Sequence, residues 1–106
     1  MITIDEFKKI ELKTAKVLKA EKVEKADKLL KMTIQVGEEQ RTLVAGISKY
    51  YEPSEMEGKT IIIVANLEPR KLMGIESQGM LLAVSDENGL ALLTTDKEIA
   101  SGLTAK

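Results

Sequence analysis

The stretch from Leu29 to Ile47 restricts this chain more than any other. Leu30, Met32, Ile34 and Val36 alternate with Lys31, Thr33 and Gln35, so every second side chain falls on one face of an extended segment, the pattern of a half-buried strand. Gly37-Glu38-Glu39 supplies a turn, and Arg41 to Ile47 reads as the returning strand of a hairpin. The remainder offers more of the same. Thr60 to Leu67, rich in Ile and Val, predicts a strand buried on both faces. Pro69 to Gly79 has a proline, two glycines and mixed polarity and reads as a loop. Met80 to Ser85 and Leu90 to Thr94 form a second hairpin about Asp86-Glu87-Asn88-Gly89, with Asn-Gly as a favoured turn pair.

Helical signals are short. Thr3 and Glu6 have capping-box spacing, with Ile2 and Phe7 placed as a hydrophobic staple, and predict a helix from about residue 4 to 10. Pro53, Ser54, Glu55 and Glu57 predict one or two turns stopped by Gly58, and Thr95 with Glu98 allows a final one. The coarse result is a mostly β domain of five or six short strands, a pattern that suits a small barrel. At 106 residues the chain has the length of one domain.

One segment resists this reading. From Glu11 to Met32, apolar residues at 12, 15, 18, 23, 26 and 29 recur at intervals between three and four, amid lysines at 13, 16, 19, 22, 25, 28 and 31. Periodicity alone predicts a long amphipathic helix there. Leu12, Thr14, Lys16, Leu18 and Ala20 also alternate as one face of a strand, although β-branched residues are scarce.

Absences narrow the chemistry. Without Cys or His, the chain has no thiolate or imidazole zinc site, no disulfide, no Cys nucleophile and no His-dependent triad. Catalysis by carboxylates alone or by Lys stays formally open, but every Asp and Glu lies in a context that a solvated surface explains, so a non-enzymatic role is expected, with no cofactor and no metal. The longest apolar run, Ile61 to Ala65, is far below the ~20 residues that cross a bilayer, and the first residues lack the basic start and apolar stretch of a secretion signal. An intracellular location is the expectation. Fourteen Lys and thirteen Glu against three Gln and two Asn is a balance common in proteins of hot environments.

Net charge is −1, yet its distribution is uneven. Residues 1 to 35 carry nine Lys against six acids, whereas residues 36 to 106 carry seven basic residues against eleven acids. The basic field is local, as in proteins that bind an anionic partner over one surface.

Two ordered motifs resemble a known family. They are Val23-Glu24-Lys25-Ala26-Asp27-Lys28-Leu29-Leu30 followed by Arg41 to Tyr51, and Asn66-Leu67-Glu68-Pro69-Arg70-Lys71-Leu72-Met73-Gly74-Ile75-Glu76-Ser77-Gln78-Gly79-Met80. Both look like the tRNA-binding domains appended to methionyl-tRNA synthetases, which are related to free-standing bacterial tRNA-binding proteins, the CsaA chaperone-like proteins and the endothelial-monocyte-activating cytokine domain. The resemblance runs from about residue 4 to the end. It implies a five-stranded oligonucleotide-binding (OB) barrel with short helices and terminal extensions, and it turns Lys13 to Val23 into a strand, against the helical periodicity.

It also implies a noncatalytic module that holds tRNA through shape and backbone contacts. Arg70 and Lys71 offer a guanidinium fork and a point charge for phosphate oxygens, while Asn66, Ser77 and Gln78 are able to donate to sugars, phosphates or bases. Family positions matched by Asn66, Lys71, Ser77 and Met80 lie on or near the tRNA-facing side, and Lys28, Lys31 and Lys49 are the next candidates. The bland alternatives are that Asn66 caps a strand, Met80 is core, and the lysines are solvated surface. Glu68 departs from relatives that carry another residue there and lowers the local positive charge. With only Phe7, Tyr50 and Tyr51 as aromatics, base-stacking platforms for single strands are lacking, and a folded RNA fits better.

Partners expected on this resemblance are tRNA, the catalytic part of a methionyl-tRNA synthetase, and a second copy of the chain. Apolar Ile2, Ile4, Phe7, Ile99 and Leu103 at the two ends are a physical motive for that homodimer. A competing reading is a CsaA-like protein-binding chaperone or a dimerisation module with an incidental basic loop.

Overall fold

The computed structural model describes residues 1–106. It is mostly β, as expected, with five strands in one antiparallel sheet. Strands β1 (Leu12–Val23), β2 (Ala26–Val36), β3 (Glu39–Ala45), β4 (Thr60–Val64), β5 (Arg70–Leu72), β6 (Ile75–Ser77), β7 (Met80–Leu81), β8 (Ala83–Asp86) and β9 (Gly89–Leu92) accompany two single-turn helices, α1 (Ile4–Phe7) and α2 (Pro53–Met56). The main sheet has the order β3-β2-β1-β4-β7, while β5-β6 and β8-β9 are separate two-stranded ribbons.

The helix that periodicity predicts over residues 11 to 32 does not form. The apolar residues that set the helical period are not the ones the core uses: of 12, 15, 18, 23, 26 and 29, only Ala15 is buried. The inward residues of β1 are Ala15, Val17 and Ala20, spaced first by two and then by three. A β-bulge causes the change of step, because Val17 faces Ile34 and Lys19 faces Thr33, which leaves Leu18 as the extra residue. A strand whose alternation is reset midway imitates a longer period.

The β2-β3 hairpin forms as its alternation predicts. Leu30, Met32 and Ile34 are fully buried, and Leu43 meets Met32 across the ladder. With Ile61, Ile63, Ala15 and Val17 they form one core, which Met56 of α2 enters from the end of the sheet. The Thr3 capping box is present in full, although α1 ends at Phe7 and not near residue 10. β4 is shorter than predicted; Ile61 and Ile63 are fully buried on one face, Val64 is buried on the other where Ile62 is partly covered, and Leu67 is exposed beyond the strand's end.

Further differences are local. Residues 69 to 79 are not a plain loop, because β5 and β6 pair about Met73-Gly74, whose φ values of 51° and 80° are those of a tight hairpin turn. Residues 80 to 85 break at Leu82 into β7 and β8. In the last hairpin Asp86 pairs with Gly89, so the turn is Glu87-Asn88 and not Asn-Gly; the Asp86 carboxylate accepts from the amides of Asn88 and Gly89. Residues 95 to 98 form no helix.

The C-terminal segment is strapped along the start of β1. Thr14 donates through Oγ1 to Ala100 O at 2.8 Å and accepts from the Leu103 amide, while Gly102 N donates to Thr14 O at 2.7 Å. This strap crosses the β2-β3 turn so closely that a Cβ on Gly102 would stand 2.6 Å from the Gly37 backbone.

The ladder does not close into a complete barrel. Between β7 and β3 there is no strand pairing. The side chains of Ser77 and Gln78, with one backbone bond from Gln78 N to Thr42 O, make that seam.

Candidate nucleic-acid interface

The segment between β4 and β7 carries most of the predicted contacts, and the fold roots it at both ends. Asn66, just after β4, spans two partners: Oδ1 accepts from Glu11 N at 3.0 Å, and Nδ2 donates to Lys9 O at 2.7 Å. At the other end, the edge of β3 points amides away from β2, where an unpaired edge would be costly or adhesive. Gln78 Oε1 accepts from Thr42 N at 2.8 Å, Gln78 N donates to Thr42 O at 2.8 Å, and Ser77 Oγ accepts from Val44 N at 3.0 Å. Ser77, itself buried, also donates to Gly79 O. Removing either side chain would leave a β3 amide without its partner, a loss of about 1–3 kcal/mol where water cannot replace it. Gly79 lies against β4, with a φ of 141° and only 3.1 Å between a hypothetical Cβ and Val64 O.

Asn66, Ser77 and Gln78 thus all make intramolecular hydrogen bonds, Ser77 buried, Gln78 half-buried and Asn66 at the surface. A further residue that the sequence reading missed completes the root. Arg41 Nη1 donates to Ala65 O at 2.6 Å and to Gln78 O at 3.3 Å, so one guanidinium clasps both ends of the excursion while Glu39 accepts from its other side. The available signal was its placement as the one charged residue of the predicted strand Arg41 to Ile47.

Arg70 and Lys71, adjacent in sequence, are splayed by the alternation of β5. Arg70 pairs with Ser77 on the face toward β3, where it lines a small cleft with Val44, Leu67, Leu72 and Met80. Lys71 pairs with Glu76 and takes the opposite face. Glu68 lines the Arg70 cleft too, but neither Arg70 nor Lys71 is in an ion pair. Both are exposed, as is Met80 at 47%, so these three side chains are available to a ligand.

The lysine candidates fall in two places. Lys28 O accepts from Ser48 N at 3.0 Å, which brings Lys28 and the loop carrying Lys49 to the β1-β2 turn. Lys49 lines a concavity there with Lys22, Asp27 and Ser48; Lys22 reaches Glu52 at 3.6 Å. Lys31 is on the outer face of β2, 3.7 Å from Glu21, and opposite Val44, the residue whose amide Ser77 holds.

A family model described as "Putative tRNA binding domain" matches residues 12–104. The chain belongs to this tRNA-binding family. It is 63% identical over 101 residues to a methionine–tRNA ligase of Caldanaerobacter subterraneus subsp. tengcongensis, and 57% identical over 101 residues to that of Thermotoga maritima. Each match covers 95% of this chain and 16% of the relative, so the chain spans about one-sixth of the length of these ligases. Among solved structures, a methionyl-tRNA synthetase-related protein from Pyrococcus horikoshii superimposes with a TM-score of 0.93 at 40% identity, over 100% of this chain and 98% of that one. The chaperone CsaA from Bacillus anthracis does so with a TM-score of 0.90 at 25% identity, over 100% and 99%. In this tRNA-binding domain, no helix is long and apolar enough to cross a membrane.

Proposed function

We propose that the domain binds tRNA without catalysing a reaction, and that it strengthens the hold of a methionyl-tRNA synthetase on its substrate, whether joined to the catalytic part or acting beside it in the cytoplasm. The family match along residues 12–104 carries this reading. The geometry agrees with it: a ribbon rooted by hydrogen bonds at both ends presents an unpaired arginine and an unpaired lysine to solvent. In this reading Arg70, Lys71 and Met80 touch the RNA, Lys28, Lys31 and Lys49 extend the positive field, and Asn66, Ser77 and Gln78 act by fixing the ribbon that bears them. The contacts are to backbone and shape, with little sequence preference. A homodimer joined through the exposed apolar ends, Ile2, Ile4, Ile99 and Leu103, belongs to the same proposal. Sedimentation returning only an 11.7 kDa species would remove it.

The test is binding to tRNA and to an unfolded polypeptide, side by side, across a salt series. For tRNA we expect log affinity to fall linearly with log salt, by ~0.7–0.9 per phosphate neutralised. Preference for the polypeptide, with a flat salt response, would reverse the assignment in favour of the chaperone reading that likeness to CsaA suggests.

A further inference from the structure

The bulge in β1 has an electrostatic result. In a regular strand, residues three apart point to opposite faces, but the extra residue at Leu18 brings Lys16 and Lys19 to the same one. Lys16 pairs with Gln35 and Lys19 with Thr33, and Glu21 pairs with Lys31, one row further along. Directly opposed residues share a face. The other face is fixed as the core side by the pairs Val17 with Ile34 and Ala20 with Met32, all four buried. Lys16, Lys19 and Lys31 therefore stand together on the outer surface of the sheet, with Thr33 and Gln35 between them.

Among the residues that the register places on this surface, three lysines stand against one carboxylate. Glu21 is its own carboxylate and is engaged by Lys31 at 3.7 Å; Glu57, beside the strand edge, is held on the Ala20 amide at 3.4 Å. Lys16 and Lys19 have no acidic partner within ion-pair distance. None of β1, β2 and β3 contributes an aromatic residue to this surface, since Phe7, Tyr50 and Tyr51 all lie outside them. Ammonium, hydroxyl and amide groups engage phosphates and ribose hydroxyls, whereas splayed single-stranded bases need stacking partners. The face also adjoins the ribbon, because Lys31 is opposite Val44 and Val44 is bonded to Ser77.

We infer that the outer face of β1 and β2, centred on Lys16 and Lys19, seats the sugar-phosphate backbone of a double-helical RNA arm, so that a tRNA lies across the sheet and meets the β5-β6 ribbon at its edge. This rests on the tRNA-binding reading above and adds a surface and an RNA shape to it. The test replaces both lysines, Lys16→Gln with Lys19→Gln, and sets them beside a charge-matched control, Lys8→Gln with Lys97→Gln, in the full chain. The sheet-face variant is expected to lower the tRNA salt slope by about 1.4–1.8, from two lost contacts, with an unchanged melting temperature. A stem-loop copying one tRNA arm should compete with tRNA, and an oligouridylate of equal length should not. A slope equal to the control's, or equal competition by the single strand, would overturn the inference while leaving tRNA binding in place. If the unmodified chain shows no salt-dependent tRNA binding, the family-based reading itself fails.

Discussion

Replacing Gly102 by Ala is expected to destabilise the domain by about 2–4 kcal/mol, the largest effect we anticipate for any single methyl group. Two costs add. Gly102 has a φ of +81°, where a residue with a Cβ is strained by ~1 kcal/mol, and the new carbon would overlap the Gly37 Cα and N at 2.6 Å. Both atoms belong to backbone and cannot swing aside, so the strap must lift, which adds an overpacking cost of ~1–3 kcal/mol. Lifting it takes away the partners of Thr14, whose hydroxyl and backbone hold Ala100, Gly102 and Leu103. For a domain of this size, even the lower figure lowers the melting temperature by roughly 8–16 °C. Gly58→Ala is the control, since Gly58 has a φ of +89° but open space around it. Equal losses in the two variants would show that only the dihedral matters and that the Gly37 contact is not tight.

The second large effect concerns RNA. Changing Arg70 and Lys71 together to Ala is expected to weaken tRNA binding about 10- to 100-fold at low salt, given ~1.5–3 kcal/mol for hydrogen bonds to charged groups and partial solvent exposure of both. The salt slope should become shallower as well. Thermal stability should be unchanged, because neither side chain takes part in an ion pair or internal hydrogen bond. Because the two residues point to opposite faces of the ribbon, the single variants are informative. If the RNA lies on the β3 side, Arg70→Ala accounts for most of the loss, and Lys71, facing Glu76, for little. A double variant that binds like the unmodified chain would take the ribbon out of the interface.

Much of the fold was legible where pattern and packing coincide. The alternation of Leu30, Met32, Ile34 and Val36 is the core itself, and the Thr3 capping box is local by nature. Legibility ended where long-range geometry changes a local pattern. The bulge at Leu18 disguised β1 as a helix, and only the resemblance to tRNA-binding domains restored the strand. The β5-β6 ribbon escaped notice because its turn is built by Met73, a residue with a Cβ at positive φ, where Asn, Asp or Gly is the usual signal.

The candidate interface was readable in part for the same reason. Residue type marks Arg70 and Lys71 as cations, but only register shows that they diverge. Asn66, Ser77 and Gln78 advertise hydrogen-bonding capacity without saying to whom; partners such as Glu11, Val44 and Thr42 are distant in sequence and become neighbours only after folding. Arg41, read as part of a strand, acquires its clasping role from two carbonyls contributed by residues 65 and 78.

The seam between β3 and the ribbon is not a ladder. A ladder would tie the ribbon's length to the register of the whole sheet, so that an inserted residue would turn core positions outward. Here the ribbon is held at its root by Asn66, Ser77, Gln78 and Arg41, with one backbone bond from Gln78 N to Thr42 O, so a change of length at its Met73-Gly74 tip would leave the register of the main sheet unaltered. The tip and the hub are in this sense geometrically uncoupled.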